Sequence, residues 1–337
     1  MASIKVLFIP VSGPEGIGEY MRALILADAV SAVYSEAEVS FILSKRAPYV
    51  DTCPYPVHIT DESPTKCTAQ VNTILQTVRP TIAVFDCSGR ASQYKKAKAL
   101  NCKVIFISQH KKKRRRAFSL NRIGNIDAHC ITQFKFVDGD LTWVERIKLA
   151  LAGKPSPYFM GPVFSAPSAS LPFAVAERYV VFSAGGGGHA VNGVRATDVF
   201  MLAATRWFEQ TGEQCHVLLG PNYQGEVLLT EGVVFHRQLP NADLMTLMKG
   251  SRVVVLGGGD MLSQAVALKV PSIAVAVAKD QPPRIKAIAK AGLTVESALE
   301  VDAIVSQLNS GVVVPSQDVP VGRDVFLSIL NDLLSAH

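Results

Sequence analysis

Three glycine-rich stretches of the sequence could bring backbone amides close to an anionic ligand. They are Gly16 and Gly18 before Glu19; Gly185, Gly186, Gly187 and Gly188 before His189; and Gly257, Gly258 and Gly259 before Asp260. Glycine lets a backbone approach a phosphate closely, and a helix N-terminus favours negative charge. Four consecutive glycines are costly in chain entropy. These stretches therefore predict anion-binding loops, with a phosphate as the expected ligand of Gly185 to Gly188, and His189 either contacts this phosphate or caps its loop.

Glu19 is a candidate general base because it follows the first glycine stretch and falls in the first turn of a predicted helix. A carboxylate there can take a proton from the hydroxyl group of a substrate. It can equally serve only to stabilise the helix dipole. The spacing of this stretch is not GxGxxG, and no acid ends the second strand, which reads SKR. Both features argue against a nicotinamide cofactor.

A run of six consecutive cations, Lys111 to Arg116, follows an apolar strand, Lys103 to Ser108. The whole chain carries a formal net charge of +6, so its basicity is local to this run. We expect Lys112, Arg114 and Arg116 to bind a negatively charged group of a substrate. The alternative is a solvated loop.

Further polar side chains follow two other strands of the first half. Asp86 and Arg90 lie in FDCSGR, and His110 ends ISQH. Because ligands bind at the carboxyl ends of parallel strands, these side chains are candidates to bind a substrate. Ordinary turn chemistry explains them equally well.

The elements that must position these residues alternate between strand and helix. This alternation predicts an α/β protein with two doubly wound, Rossmann-like domains facing a cleft. The first is expected over residues 1–152 and the second over 176–337, joined by a Pro- and Ser-rich linker over 153–175.

The composition limits the class of protein. The chain of 337 residues is 48% hydrophobic and 18% charged, which favours strands that are buried on both faces. Its six cysteines form no CxxC pair, as expected of reduced thiols in the cytoplasm. We predict no signal peptide, no membrane span and no metal site, since no acidic or histidine cluster has ligand spacing.

Two segments carry a resemblance to a known group of enzymes. The segment GPEGIGEYMRALILADAV resembles the Gly-x-Gly-His-x-x-Arg loop and helix of the UDP-sugar hydrolase of pseudaminic acid synthesis. The segment from LPNADLMTLMKGSRVVVLGGG to AIAKAGL resembles the donor-binding half of GT-B glycosyltransferases, particularly the MurG-type (family 28) transferases. The resemblance is clear in motif for roughly residues 8–28 and 235–293.

The resemblance implies a set of donor contacts in the second domain. Gly257, Gly258 and Gly259, with Asp260, would lie at the donor phosphates, and Gly185 to Gly188 would face the diphosphate. Gln281 would contact the donor sugar. Leu239 and Pro240 would flank the base, with Leu244 nearby. The sequence departs from the family at Glu19, where the family has histidine, and at Gln264, where an acid often holds the ribose.

The leading hypothesis is a metal-independent glycosyltransferase with a nucleotide-sugar donor of the UDP type and no further cofactor. Its acceptor would be anionic: a lipid phosphate or membrane surface, a phosphorylated glycan, or a nucleic acid. The residues expected to bind this acceptor are Gly16, Gly18, Asp86, Arg90, His110, Lys112, Arg114 and Arg116. We expect a cytoplasmic protein, either free or at the inner face of the membrane, and leave its oligomeric state open. The alternatives are a nucleotide-sugar hydrolase or epimerase on the same fold, and a non-enzymatic protein that binds nucleotide sugars or nucleic acid.

Overall fold

The computed structural model describes residues 4–13, 17–109, 111–227 and 229–335. The chain divides into two compact units: Phe164–Val319 forms one, and the chain on either side of it, up to Val163 and from Pro320 onward, forms the other. Each unit is built on its own parallel sheet, so the prediction of two doubly wound α/β domains is confirmed.

The first unit contains a seven-stranded parallel sheet in the order β3-β2-β1-β4-β5-β6-β7. Its strands are β1 (Lys5–Pro10), β2 (Glu38–Ser44), β3 (Val57–Thr60), β4 (Ile82–Asp86), β5 (Lys103–Ser108), β6 (Ala128–Ile131) and β7 (Tyr158–Phe159). Its helices up to β7 are α1 (Ile17–Val33), α2 (Thr68–Val78), α3 (Ala91–Ala99), α4 (Lys111–Ala117), α5 (Leu120–Ile123), α6 (Lys135–Asp138) and α7 (Trp143–Ala152). Strands β4 and β5 are apolar along nearly their whole length because helices cover both of their faces.

The second unit contains a six-stranded parallel sheet in the order β12-β11-β8-β13-β14-β15. Its strands are β8 (Tyr179–Ser183), β11 (Gln214–Leu218), β12 (Val233–His236), β13 (Val253–Gly257), β14 (Ser272–Val275) and β15 (Val295–Ser297), with a small antiparallel hairpin of β9 (Ala190–Val191) and β10 (Val194–Arg195). Its helices are α8 (Ala196–Thr211), α9 (Asn241–Gly250), α10 (Asp260–Ala267), α11 (Pro282–Lys290) and α12 (Val301–Ser310). The strand order reverses between β8 and β13, which makes this the topological switch point of the parallel sheet.

The last helix, α13 (Gly322–Ser335), returns to the first unit. It packs against α1, and its Phe326, Ile329 and Leu330 join the core beneath β1 and β2. We expected residues 176–337 to form one domain, and the structure differs at this helix because its apolar face completes the core of the first unit. The expected linker over 153–175 also includes β7, which pairs with β6 as an edge strand.

Across the described parts of the chain, no helix combines the length and apolar character needed to cross a bilayer.

Candidate active site

The carboxyl end of β4 carries a buried ion pair at the switch point of the first sheet. The Nε and Nη2 atoms of Arg22 on α1 donate to the two carboxylate oxygens of Asp86, each at 2.7 Å. Both side chains are buried. We expected Asp86 to contact an acceptor; instead its charge is neutralised inside the unit, where it fixes α1 to the sheet.

Glu19 and Lys113 lie around Cys87, the residue after Asp86. Burial raises the pKa of the Cys87 thiol to about 12, and the charges of Asp86, Arg22, Glu19 and Lys113 also act on it. The Nζ atom of Lys113 donates to the Cys87 carbonyl at 3.4 Å. The thiol therefore stays protonated at neutral pH. Around it, Glu19 of α1 places a carboxylate, and Lys113 of α4 an ammonium group, at the same edge of the sheet.

Glu19 occupies the first turn of α1 and is half-exposed. The next residue, Tyr20, stacks on Tyr49 with ring centroids 4.0 Å apart. Burial raises the pKa of Tyr49, and the negative charge of Glu19 raises it further. The carboxylate thus lies beside a buried aromatic pair while remaining accessible, as a base for an incoming hydroxyl must be.

Two of the predicted acceptor residues, Gly16 and His110, lie outside the described residues. Gly18 is exposed, and a Cβ atom built on it would meet no atom of the described residues within 4 Å. Packing against the described part of the chain therefore does not require glycine at position 18.

The basic run forms helix α4, and the helix sorts its six cations by face. Four of them are exposed: Lys111, Lys112, Arg115 and Arg116. Lys113 is half-buried and turned towards Cys87, whereas Arg114 is buried. The six cations thus occupy three different environments on a helix, and the run is not one solvated loop.

Arg114 is a structural residue. Its Nη1 atom donates to Asp138 at 2.6 Å and to the Gly139 carbonyl at 3.1 Å, and its Nη2 atom donates to Glu145 at 2.8 Å and to the Asp140 carbonyl at 2.9 Å. Both carboxylates are buried with it. We expected Arg114 to bind an acceptor, but its guanidinium instead ties α4 to α6 and α7, so this expectation is not supported by its position.

Arg90, the other predicted cation of this edge, is exposed at the start of α3. Its Nε atom donates to the Thr65 carbonyl at 3.0 Å, which holds the loop before α2. This contact is of the ordinary turn type that we kept as the alternative. Lys112 and Arg116 remain exposed on α4, as an acceptor-binding role requires.

In the second unit, the four-glycine loop after β8 packs against the loop after β11. Gly187 has a positive φ of +83°, and a Cβ built on it would collide with the Leu219 carbonyl oxygen. Gly220 has a φ of +84°, and its Cβ would collide with the backbone of Gly186. Gly187 is therefore required by internal packing. Gly188, by contrast, would make only an ordinary contact with a neighbouring side chain.

Gln281 joins the loops after β13 and β14. Its Oε1 atom accepts the backbone N–H groups of Gly258 at 3.0 Å and Val277 at 2.9 Å, and its side chain is buried. Arg284 donates to the Gly258 carbonyl at 2.9 Å, and a Cβ on Gly258 would lie 2.6 Å from Ile285. We expected Gln281 at the donor sugar and Gly258 at the phosphates; the structure shows contacts of both within the unit, and their roles towards a donor stay predictions.

Gly259 is the open glycine of this edge. It is the N-cap residue of α10 and, as a glycine, has no side chain of its own to cap the helix. A Cβ built on it would meet nothing within 4 Å, whereas one on Gly257 would lie 2.9 Å from Val277. Asp260, the first helical residue, is exposed. The first N–H groups of a helix lack partners in the helix, so an anion can approach them here.

The remaining predicted donor residues fall into two groups. Gln264 is buried in the second turn of α10, and the half-buried ring of His189 lies 3.9 Å from the position that a Cβ on Gly185 would take. Leu239 and Pro240 lie between β12 and α9, where Pro240 is the exposed N-cap residue, and Leu244 lies in the first turn of α9; both leucines are half-buried. The Leu244 N–H donates to the Pro240 carbonyl at 3.0 Å.

Sequence reasoning missed two residues of the first unit, Arg22 and Lys113. Arg22 falls at the arginine position of the Gly-x-Gly-His-x-x-Arg resemblance, which was the available signal for it. Lys113 could have been found by placing the basic run on a helix, since adjacent residues then point about 100° apart. Within the described ranges, no three His, Cys, Asp or Glu side chains are grouped to hold a metal ion.

Solved glycosyltransferases share this fold over nearly the whole chain. The chain is similar to the glycotransferase of kitacinnamycin (TM-score 0.63, 13% identity, 99% of this chain and 96% of that chain). It is similar to the glycosyltransferase SnogD from Streptomyces nogalater (TM-score 0.62, 15% identity, 98% and 95%). It is also similar to UDP-GlcNAc 2-epimerase from Methanocaldococcus jannaschii (TM-score 0.57, 11% identity, 98% and 100%).

At these identities the likeness establishes the fold, so the predicted GT-B architecture of two α/β domains is confirmed. No protein-family model matches the sequence, and no curated protein matches it. The narrower resemblance to MurG-type transferases and to the hydrolase of pseudaminic acid synthesis stays a prediction.

Proposed function

We propose that this protein is a glycosyltransferase that moves a sugar from a UDP-type nucleotide sugar, held by the second unit, to an anionic acceptor, held by the first. The observation that carries the proposal is the open space beside Gly259 at the N-terminus of α10, where the N-cap residue has no side chain of its own. Helix N-termini of this kind suit the diphosphate of a nucleotide sugar. The fold likeness to solved glycosyltransferases supports sugar transfer, and the likeness to a UDP-GlcNAc 2-epimerase supports a UDP-type nucleotide sugar.

The chemistry follows from the groups at the two sheet edges. The acceptor oxygen attacks the anomeric carbon of the donor sugar, and the bond between that carbon and the diphosphate oxygen breaks. Glu19 takes the hydroxyl proton. The nucleoside diphosphate departs with the bonding electrons, and the amides and dipole of α10 stabilise its growing negative charge.

The acceptor is expected to be anionic because of the cations on α4. Lys113 places an ammonium beside Cys87 at the carboxyl edge, and Lys112 and Arg116 are exposed on the same helix. An acceptor phosphate would find positive charge close to Glu19, the base that accepts the hydroxyl proton.

Donor binding can be tested by isothermal titration of UDP into three proteins. Gly259→Asp adds a carboxylate in the open space at the start of α10, and we expect it to weaken UDP affinity at least about tenfold through charge repulsion. Gly124→Asp is the matched control, because a Cβ at Gly124 also meets nothing within 4 Å and its φ is −65°. Equal affinity in both variants would place the nucleotide elsewhere.

The role of Glu19 is tested by Glu19→Gln, which keeps the size of the side chain and removes its basicity. Turnover, followed by mass spectrometry of the glycosylated product, should fall by about 10²- to 10⁴-fold while UDP affinity stays the same. Near wild-type turnover would leave Glu19 with only its stabilising role at the helix start.

A second candidate function is epimerisation or hydrolysis of the nucleotide sugar, because a UDP-GlcNAc 2-epimerase matches the chain at a similar TM-score. Incubation with UDP-sugars in the absence of any acceptor separates the two. Release of free sugar or of an epimer at a rate that added acceptor does not change would favour this candidate over transfer.

A further inference from the structure

A polar cavity lies at the amino edge of the second sheet. Its volume is about 470 Å³, and its lining includes Arg178, Trp207, Glu213, Arg252, Leu308 and Asn309. Arg178, Glu213 and Arg252 directly precede β8, β11 and β13, respectively. The carboxyl ends of β8 and β13 lead into the glycine-rich loops of the proposed donor site. The cavity therefore lies at the other end of the same strands.

The lining contains one carboxylate, which is surrounded by donors. The Nε and Nη2 atoms of Arg252 donate to the two carboxylate oxygens of Glu213 at 2.8 and 2.9 Å. The Nε1 atom of Trp207 donates to Oε2 of Glu213 at 2.8 Å. The Nε atom of Arg178 lies 3.8 Å from Oε1. Because both arginines approach the same oxygen, their guanidinium groups lie close to each other.

The two arginines give the cavity an excess of positive charge. Among the described residues, Nη1 of Arg252 has no hydrogen-bond acceptor, and the side chain of Arg178 is 74% exposed. Arg252 is held in place, since Glu213 binds it through two atoms and its guanidinium lies 5.3 Å from the centre of the Trp207 ring. Guanidinium groups fixed in this way suit the oxygens of a phosphate.

Two helices end at this cavity. Helix α8 ends at Thr211 and α12 at Ser310, and Thr211 and Asn309 both contribute to the lining. The last carbonyl groups of a helix have no partners within the helix and carry partial negative charge, so they accept hydrogen bonds. The exposed amide of Asn309 can both donate and accept. This part of the lining suits the hydroxyl groups of a ligand.

We propose that this cavity binds a phosphorylated sugar, with its phosphate on Arg178 and Arg252 and its hydroxyl groups at the ends of α8 and α12. The volume lies within the range of about 300 to 1,000 Å³ that is usual for sites of organic ligands. A nucleotide fits less well. Trp207, the one aromatic side chain among the described lining residues, is 5% exposed and has Arg252 over its ring, so a base finds no open ring for stacking.

The test is isothermal titration of glucose 6-phosphate, glucose and inorganic phosphate into the full chain, in a buffer without phosphate. The wild-type protein should bind glucose 6-phosphate at least about tenfold more tightly than either of the other two. Arg178→Gln removes an exposed cation and should weaken glucose 6-phosphate about tenfold. Lys286→Gln, which removes an exposed cation from α11 of the same unit, is the matched control and should bind like the wild type.

A second variant tests the part of the lining at the end of α12. Asn309→Asp keeps the size of the side chain and adds a negative charge, so it should weaken glucose 6-phosphate several-fold. Fluorescence gives a local readout, because the chain has two tryptophans and Trp143→Phe leaves only Trp207. Glucose 6-phosphate should change the emission of Trp207 through its contact with Arg252. Arg178→Gln in the same background should shift this change to about tenfold higher concentration.

The cavity and the proposed donor site should bind independently. Gly259→Asp should weaken UDP and leave the affinity for glucose 6-phosphate unchanged, whereas Arg178→Gln should do the reverse. Retention of glucose 6-phosphate binding in a protein that does not bind UDP would remove the proposed function and leave the cavity site intact.

Four results would overturn the proposal. The first is no binding of glucose 6-phosphate to the wild-type protein, and the second is equal affinity in the wild type and Arg178→Gln. The third is equal affinity for glucose 6-phosphate and inorganic phosphate, which would show that the sugar is not recognised. The fourth is competition between UDP and glucose 6-phosphate, which would place the sugar phosphate in the donor site.

Discussion

The carboxyl edges of the two sheets share one topology but are held together by different chemistry. At the first edge, buried charges join the elements: Arg22 pairs with Asp86, and Arg114 pairs with Asp138 and Glu145. At the second, the neutral side chain of Gln281 joins two loops through backbone amides. The first edge is therefore held by side-chain charges, whereas the second is held through backbone amides.

This difference predicts how strongly a substitution at each edge should destabilise the protein. A buried ion pair tolerates the loss of one partner poorly, because the other charge is left without compensation in a medium of low polarity. An amide that bridges two loops leaves neutral N–H groups unsatisfied when it is removed, which costs less per group. The same kind of substitution should thus cost more at the first edge than at the second.

The largest effect is expected for Arg114→Ala. The substitution leaves two buried carboxylates, Asp138 and Glu145, without their cation and should lower the free energy of unfolding by about 3 to 5 kcal/mol in urea denaturation. Arg116→Ala, an exposed neighbour on α4, is the matched control and should change it by less than about 0.5 kcal/mol. Equal effects would mean that Arg114 is no more structural than the rest of the run.

A smaller loss is expected for Gln281→Ala. The N–H groups of Gly258 and Val277 would lose their acceptor inside the second unit, which should cost about 2 to 3 kcal/mol in the same measurement. Gln210→Ala, on the exposed end of α8, should have almost no effect. A negligible cost for Gln281→Ala would show that water satisfies both amides and that the second edge is not held by this side chain.

The second unit also contains a neutral histidine pair. The Nδ1 atom of His216 and the Nε2 atom of His236 lie 2.9 Å apart, and Nε2 of His216 lies 3.0 Å from the Oε1 atom of Gln214. Burial, with a smaller contribution from His236, lowers the pKa of His216 to about 4, and burial lowers the pKa of His236. Both rings are therefore neutral at pH 7.

Acid should destabilise the protein through these rings before the paired carboxylates respond. The unfolded chain binds protons at its histidines below about pH 6.5 and the folded pair does not, so stability is full above that pH and falls towards pH 4. Between pH 6.5 and 5 His216 should account for about 2 kcal/mol. The Arg114 guanidinium and the Thr142 N–H hold the pKa of Glu145 below its usual value despite burial, so its contribution is lost only at lower pH.

The measurement is the slope of unfolding free energy against pH. His216→Gln together with His236→Gln should flatten it between pH 6.5 and 5, whatever the variant's stability at pH 7. Two histidines of the first unit should supply the slope that remains: buried His129, whose pKa burial lowers to about 3, and half-buried His58, whose pKa burial also lowers. An unchanged slope in the double variant would assign the acid response to His129 and His58 and remove the histidine pair from it.

The fold could be predicted from the sequence because its signal is local. Apolar runs such as β4 and β5, separated by helices, predict parallel strands that are covered on both faces. The position of α13 could not be predicted, since an amphipathic helix at the end of a chain does not indicate which core it completes. Its packing against Phe8 depends on residues more than 300 positions earlier in the sequence.

The candidate site was harder to predict for two physical reasons. A run of like charges carries no information about which members face inward, so Arg114 and Lys112 look equivalent until α4 places one in the core. A glycine, likewise, can be required for several different reasons. Gly187 and Gly258 are required by the neighbouring loop and by Ile285, contacts between loops that no local pattern encodes.

The smallest predicted effect separates these two kinds of glycine at the second edge. Gly259→Ala adds a methyl group in open space at a φ of −85°, a conformation that alanine adopts freely, and should change the free energy of unfolding by less than about 0.5 kcal/mol. Gly187→Ala adds the same group at a φ of +83° against the Leu219 carbonyl and should cost more than about 2 kcal/mol. Because the methyl group at position 259 occupies the approach to the first amides of α10, UDP affinity should fall although stability does not. A Gly259→Ala protein with unchanged stability and unchanged UDP affinity would show that the open backbone at α10 is merely unfilled space, and would leave the second edge without its candidate anion site.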